Sequence, residues 1–390
     1  MGKPDNRGGL ASTVRRIIRK LYSDIYNRTG LITHWNIPEF DFPDPGKKKI
    51  LIMIDSLGRA GAQRVACLLA SGLAEKCCVV LLVYKKKAQI YPVDKRVKLI
   101  YMPTFYYGNK EKANTKYVSA LKKAYRIDTA VSLLHQMNLL NVFSKGEERV
   151  IVSERNNPKL AYPDDFPVCQ DIYGRADYVI FQTKEVQGMF DESIRDHSCV
   201  LPNPVSVTCH AKDIRKKRIV NVARLHKNKN QELLIRAFAL FVSDHPDYTL
   251  SIYGDGPERM MLKRLAGQLG VEDKVILHGN VPDIHEQIAD AGMFVLSSNT
   301  EGMPNALLEA MMMGLPCITT NCTGAKEVVE NRVNGIVTET GNVNALSMAM
   351  SFMADYPEEA DRMRMNAMRK AEDFHKEKVL YQWEELILGE

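Results

Sequence analysis

"FVLSSNTEGMPNALLEAMMMGLPCITT", residues 294–320, reads as a strand, a loop, a helix and a second strand. "FVLSS" and "PCITT" are short apolar runs of the buried-strand kind. "NALLEAMMMG" between them is a helix entered through Pro304, whose fixed φ pre-sets the first turn. Two strands joined by one helix form a crossover unit, and such units build parallel sheets covered on both faces. Asn299, Thr300, Glu301 and Gly302 then fall at the carboxyl end of a strand. In open parallel sheets that is where ligands bind.

The same alternation extends in both directions. Toward the carboxyl terminus come the helix "AKEVVEN", the strand "GIVTET" and the helix "NALSMAMSFMADY". Toward the amino terminus come "DIHEQIADA" as helix, "KVILHGN" as strand, "PERMMLKRLAGQLG" as helix and "YTLSIYGDG" as strand. "NQELLIRAFALFVSDHP" is a helix before it, preceded by the strand "RIVNVARL". "LPNPVSV" at 201–207 interrupts the alternation with two prolines. Upstream the pattern resumes: "KKILIMI", "CCVVLLVY", "RVKLIYM", "TAVSLL", "RVIVSE" and "DYVIFQT" are strands, with helices at "AGAQRVACLLASGLA" and "KYVSALKKAYRI". A chain of 390 residues exceeds one ordinary core. The reading is therefore α/β, with two doubly wound Rossmann-like domains. Residues 49–203 form the first, 204–374 the second, and 375–390 a terminal helix.

Residues 1–48 stand apart. "STVRRIIRKLYSDIY" places Val14, Ile17, Ile18, Leu21 and Ile25 at helical spacing beside Arg15, Arg16, Arg19 and Lys20, with Ser12 as cap. Such a helix either lies on an anionic bilayer or docks on the next domain. Charge is asymmetric. Residues 1–200 carry 32 Lys/Arg against 21 Asp/Glu, and residues 201–390 carry 21 against 26. A basic first half suits an acidic partner, such as a membrane surface or a phosphorylated substrate. Nucleic acid is not expected, because no aromatic-basic interleaving accompanies the charge. No run of 18 apolar residues exists and the start has no apolar signal segment, so the expected location is cytoplasmic, with peripheral contact at the inner membrane's cytoplasmic face. Eight scattered cysteines make no Cys-x-x-Cys, which fits reduced core thiols and no zinc.

Chemistry is sought just past each strand. "SLGRAGAQRV" puts Gly58 and Gly61 at a helix entrance, where backbone can approach a ligand and the dipole favours anions. "RLHKNKN" puts Arg224 and Lys229 ahead of a helix, a fork and a point charge suited to a diphosphate. "YGDGP" puts Gly254 and Gly256 around a tight turn. Glu301 precedes a helix whose first turn offers free amides at Asn305 and Ala306. Glu309 lies eight residues on, and eight helical residues nearly restore the azimuth. Two carboxylates for hydroxyls, with cations and amides between, would suit a nucleotide sugar.

These stretches together resemble the retaining glycosyltransferases of family 4, whose architecture is called GT-B. "VARLHKNKN", "YGDGPER", "LPNPV", "SLGRAGAQRV" and "IVSERNNP" are each similar to a segment of that family, and residues 297–342 are similar to its longest signature. The resemblance covers about residues 49–390. It implies two Rossmann-like domains facing a cleft, with the last helix crossing back to the first. It implies that Arg224 and Lys229 bind the donor diphosphate and that Glu301 contacts the donor sugar. Glu309 would bond the ribose. Asn305, Ala306 and Leu307 would contact phosphate and ribose, Gly254, Gly256 and Gly302 would shape the donor site, and Gly58 and Gly61 would approach the diphosphate or acceptor. Many members carry a histidine where this chain has "IVSERNN". Glu154 and Arg155 occupy that neighbourhood, and His135 also follows a strand, so three residues compete for the first-domain contact.

The implied reaction moves a hexose or N-acetylhexosamine from a nucleotide sugar, expected to be UDP-linked, to a hydroxyl of a lipid-linked or polysaccharide acceptor. Two cations and helix amides aimed at the leaving diphosphate supply its charge stabilisation. No Asp-x-Asp pair occurs, so no metal and no other cofactor is expected. An epimerase on the same architecture and a catalytically silent nucleotide-sugar-binding scaffold are the competing readings. Product from donor alone would mark the first, and binding without turnover the second.

Overall fold

The computed structural model describes residues 37–40, 42, 44, 46–58, 61–88, 91–104, 109–213 and 215–389. The amphipathic stretch 12–26 lies outside them. The chain divides into two compact units. One runs to Glu154 and includes Cys169–Val179; the other takes Arg155–Val168 and everything from Ile180 onward.

The first sheet contains β1 (Lys49–Ile54), β2 (Cys78–Val83), β3 (Lys98–Tyr101), β4 (Thr129–Leu133), β5 (Arg149–Glu154), β6 (Tyr178–Phe181) and β7 (Ser198–Val200). Its order is β3-β2-β1-β4-β5-β6-β7. β1 runs parallel to both β2 and β4, so the winding reverses at the β1/β4 seam. Every residue of β2 is buried, as the unbroken "CVVLLV" requires of a strand covered on both faces. The helix Lys110–Tyr125 begins earlier than its apolar pattern indicates, because the Asn109 side chain caps it by accepting from the Lys112 amide.

The second sheet contains β8 (Lys216–Val222), β9 (Thr249–Tyr253), β10 (Val275–Gly279), β11 (Ala291–Leu296), β12 (Cys317–Thr320) and β13 (Ile336–Thr338). Its order is β10-β9-β8-β11-β12-β13, with β8 parallel to β9 and β11. Successive residues of one strand feed two different cores. Ile219 and Val295 join Phe238, Phe241 and Met350 on one face. Val220, Phe294 and Leu296 join Leu307, Leu308 and Met311 on the other. Both the strand pattern and the helix "NALLEAMMM" thus have the burial that their apolar residues demand.

The winding of this sheet reverses between β8 and β11. In open parallel sheets the carboxyl ends of the strands flanking such a reversal are where ligands bind. "RLHKNKN" follows β8, and "SSNTEGMP" follows β11. Topology alone therefore puts the Arg–Lys stretch and the first glutamate side by side.

Candidate active site

After β8 the chain makes a single 3₁₀ turn, Lys227–Lys229, and Asn230 takes a left-handed conformation (φ 46°) to cap the helix Gln231–Asp244. Its side chain accepts from the Leu233 amide. This tight entry aims Lys229 across the switch point. The Lys229 ammonium lies 2.6 Å from both carboxylate oxygens of Glu301. The pair is partly open, with side chains 21% and 10% exposed. The Ser298 hydroxyl donates to Glu301 Oε1 at 2.7 Å and the Ser297 hydroxyl donates to the Lys229 carbonyl at 3.0 Å. The Asn299 amide donates to the Asn228 carbonyl at 2.8 Å, stitching the two loops together. Arg224 is exposed, and among the described residues no hydrogen bond or ion pair engages its guanidinium. Its carbonyl accepts from the Gln231 side chain at 3.1 Å.

The glycines of "YGDGP" explain how Arg224 is held. Gly254 has φ 126°, and a Cβ there would collide with the Ala223 carbonyl. A Cβ on Gly256 would collide with the Leu225 carbonyl. The turn after β9 thus presses backbone to backbone on the segment 223–225, and the Leu225 amide donates to the Asp255 carbonyl at 3.1 Å. Both glycines therefore hold the loop of Arg224 through packing.

Gly302 does the same on the other flank. A Cβ there would run into the Arg155 carbonyl, and one on Gly324 would run into the Gly302 carbonyl. Gly324 was not singled out by sequence reasoning. Its signal was a glycine just past β12 in "NCTGAKEVV". Asn203, also unanticipated, is 2% exposed and ties this flank together. Its Nδ2 donates to Asn305 Oδ1 at 2.6 Å, and its Oδ1 accepts from the Arg155 guanidinium. Arg155 is itself buried, and its guanidinium stands over the Trp383 ring at 5.9 Å.

The helix carrying Glu309 is Asn305–Met313, with Pro304 as the cap residue rather than the first helical one. The first-turn amides of Asn305 and Ala306 therefore have no acceptor within the helix. The Leu307 side chain is fully buried in the core, so only its backbone can face a ligand. Glu301 sits in the loop before this helix, so its direction is not set by helical azimuth. The structure pairs it with Lys229, whereas Glu309 lies near the His285 ring, Oε2 to Nε2 3.6 Å.

The remaining candidates belong to the first unit. Among the described residues, a Cβ on Gly58 would meet Ser56 Oγ at 3.7 Å and Lys87 Cδ at 3.8 Å, ordinary contacts. Gly61 opens the helix Gly61–Leu73. Glu154 is fully buried at the end of β5 and accepts from the Tyr173 hydroxyl at 2.8 Å. His135 starts the helix His135–Phe143, and its Nδ1 lies 3.3 Å from Cys169 Sγ. Leu134 before it has φ 79°, an unusual value for leucine at the end of β4.

Residues 209–370 match the family model described as "Glycosyl transferases group 1". The chain is 25% identical over 356 residues to an uncharacterized glycosyltransferase of Haemophilus influenzae, covering 87% of this chain and all of that one. It is 24% identical to the Campylobacter jejuni N-acetylgalactosamine-N,N'-diacetylbacillosaminyl-diphospho-undecaprenol 4-alpha-N-acetylgalactosaminyltransferase, covering 88% and 100%. The crystal structure of Anabaena HepE, in complex with UDP and glucose, superposes with a TM-score of 0.75 at 18% identity, over 87% of this chain and 99% of that one. The chain is a glycosyltransferase with the GT-B fold, and its residues 209–370 match the group 1 model. It acts on a nucleotide sugar.

Proposed function

We propose that the chain is a retaining transferase of family 4 that moves a hexose or N-acetylhexosamine from a UDP-sugar to a hydroxyl of a lipid-linked or polysaccharide acceptor. The observation that carries this reading is the Lys229–Glu301 pair at the switch point, with both Glu301 oxygens 2.6 Å from the ammonium and the Arg224 guanidinium exposed on the same loop. Arg224 and Lys229 take the charge that grows on the departing diphosphate, and the Asn305 and Ala306 amides add to it. Glu301, oriented by Lys229 and Ser298, takes hydroxyls of the donor sugar, and Glu309 takes the ribose. The bond from the anomeric carbon to the diphosphate oxygen breaks while the acceptor oxygen bonds the same face. The acceptor proton passes to the departing diphosphate. Two chain cations and helix amides fill the charge-neutralising role, so no metal is required.

The acceptor class is supported by the Campylobacter relative, whose name specifies a diphospho-undecaprenol substrate, and the UDP choice by the ligand of HepE. Peripheral contact with an anionic membrane on the cytoplasmic side is supported by the basic balance of residues 1–200. Among the described residues no helix is long and apolar enough to cross a membrane. Residues 49–203 would serve the acceptor and 204–374 the donor, with 1–48 as a basic extension and 375–390 as the returning helix. Of the first-domain candidates, Gly58 and Gly61 are proposed to approach the acceptor, as is His135. Glu154 and Arg155 are proposed to shape that side from the interior.

The test is a panel of nucleotide sugars offered with a polyprenyl-diphosphate sugar acceptor, the anomeric configuration of the product being read by NMR. A retained anomer from a UDP-sugar is expected. Inversion, transfer only from a non-uridine donor, or conversion of donor without acceptor would each replace this reading.

A further inference from the structure

We infer that His285 is a positioning residue of the donor site, holding the Glu309 carboxylate through a proton fixed on Nε2. The inference rests on the reading of Glu309 as the ribose-binding group.

His285 lies on the short helix Ile284–Ile288 and is 9% exposed. Its Nδ1 is 3.1 Å from the Thr208 backbone amide. A backbone N–H can only donate, so Nδ1 must present its lone pair and the neutral ring must carry its proton on Nε2. The Thr208 hydroxyl, 3.2 Å from the same nitrogen, adds a second contact. Among the described residues, the buried Nε2 has no hydrogen-bond partner. Its charged neighbour is Glu309 Oε2 at 3.6 Å, so a closing movement of roughly 0.7 Å would make an ordinary charge-assisted bond.

The ring is not free to turn elsewhere. The segment that supplies Thr208 is pinned on either side of it. The Val205 amide donates to the Phe374 carbonyl at 2.9 Å, the Ala211 amide to Met313 at 2.7 Å, and the Lys212 amide to Ala289 at 2.7 Å. Those bonds fix the segment against both the end of the Glu309 helix and the end of the His285 helix. A buried N–H aimed at a carboxylate from a fixed ring sets the direction of the oxygen it faces. This is the arrangement by which outer groups orient a binding carboxylate. His285 touches neither the sugar nor the diphosphate in this account. It acts through Glu309 on recognition of the ribose.

The experiment compares affinities by calorimetry on the full chain. UDP, GDP and ADP are titrated first, and the tightest binder is then compared with its 2′,3′-dideoxy form. Wild-type protein should favour the ribonucleotide by about tenfold or more, and Glu309→Ala should bring the ratio near one. His285→Asn keeps an acceptor for the Thr208 amide but lacks the reach to Glu309, so it should fold normally and lose most of the ratio. His285→Gln restores an N–H near the Nε2 position and should keep the ratio within about threefold of wild type. If Glu309→Ala loses the ratio while His285→Asn keeps it, the inference fails and the ribose reading stands. Loss of the ratio in both His285 variants also overturns it, since packing alone would then explain the ring. If Glu309→Ala keeps the wild-type ratio, or no nucleotide binds, the ribose reading falls and the inference falls with it.

Discussion

Each unit contains a lysine–glutamate pair, and the two pairs are used differently. Lys122 and Glu148 of the first unit stand 2.8 Å apart with side chains 2% and 4% exposed, and Lys122 also donates to the Asn141 carbonyl at 3.0 Å. Lys229 and Glu301 of the second unit lie in loops at the ends of strands, partly open to solvent. The glycines divide in the opposite sense. Those beside Lys229 and Glu301 are forced by backbone pressing on backbone, whereas Gly58 in the corresponding first-unit loop has room for a side chain. The first unit buries this pair, and Gly58 after its first strand meets only side-chain atoms at ordinary distances among the described residues. The second exposes its charges and locks the loops that carry them. Locked loops suit a fixed, charged ligand portion such as a diphosphate, because preorganised donors need no rearrangement when charge develops.

The largest effect expected from that contrast is at Lys122. Lys122→Met leaves Glu148 buried without its cation and should cost about 3–5 kcal/mol in denaturant unfolding, while Lys122→Met/Glu148→Leu should recover most of it. Burial pushes the Lys122 ammonium down to about 8, against an ordinary value of 10.5. Between those values the unfolded chain holds more protons than the folded one, so this group's contribution to stability rises with pH. Wild-type stability measured relative to Lys122→Met should therefore increase from pH 8 to pH 10.5. A flat or falling difference would mean that the pair is wetter than its exposure indicates.

Gly254→Ala comes next. A Cβ facing the Ala223 carbonyl at φ 126° should cost about 2–3 kcal/mol and displace Arg224, so thermal midpoint and turnover should fall together. Ser298→Ala is smaller. It removes one hydroxyl donor from Glu301 at 2.7 Å and should lower kcat about tenfold with little change in melting. Gly58→Ala is smallest, with stability expected within about 0.5 kcal/mol of wild type. A Gly58→Ala loss as large as that of Gly254→Ala would erase the contrast between the two loops.

Much of the second sheet was legible in sequence because its strands are continuous apolar runs separated by well-formed helices. The meeting of "RLHKNKN" with "SSNTEGMP" followed from strand order, which the alternation implied. What the sequence hid was direction. Glu154 ends a strand just as a site carboxylate would, and only the structure reveals that it turns inward to Tyr173. The eight-residue spacing of Glu301 and Glu309 suggested one helical face, but the helix starts at Asn305 and the loop before it sets Glu301 independently. Gly254 and Gly256 read as a tight turn, and what makes it tight, the backbone of Ala223 and Leu225, is visible only in the structure. Short pieces such as β7 and the helix Pro158–Ala161 were missed because three or four residues carry no periodicity.

The most direct measurement is donor turnover by Arg224→Ala/Lys229→Ala beside wild type, at saturating nucleotide sugar and with melting followed in parallel. If the guanidinium and the ammonium carry the leaving diphosphate's charge, kcat should drop by about a thousandfold or more while the thermal midpoint moves only a few degrees. Turnover within about threefold of wild type in a folded double variant would contradict that role and move the chemistry to another part of the molecule.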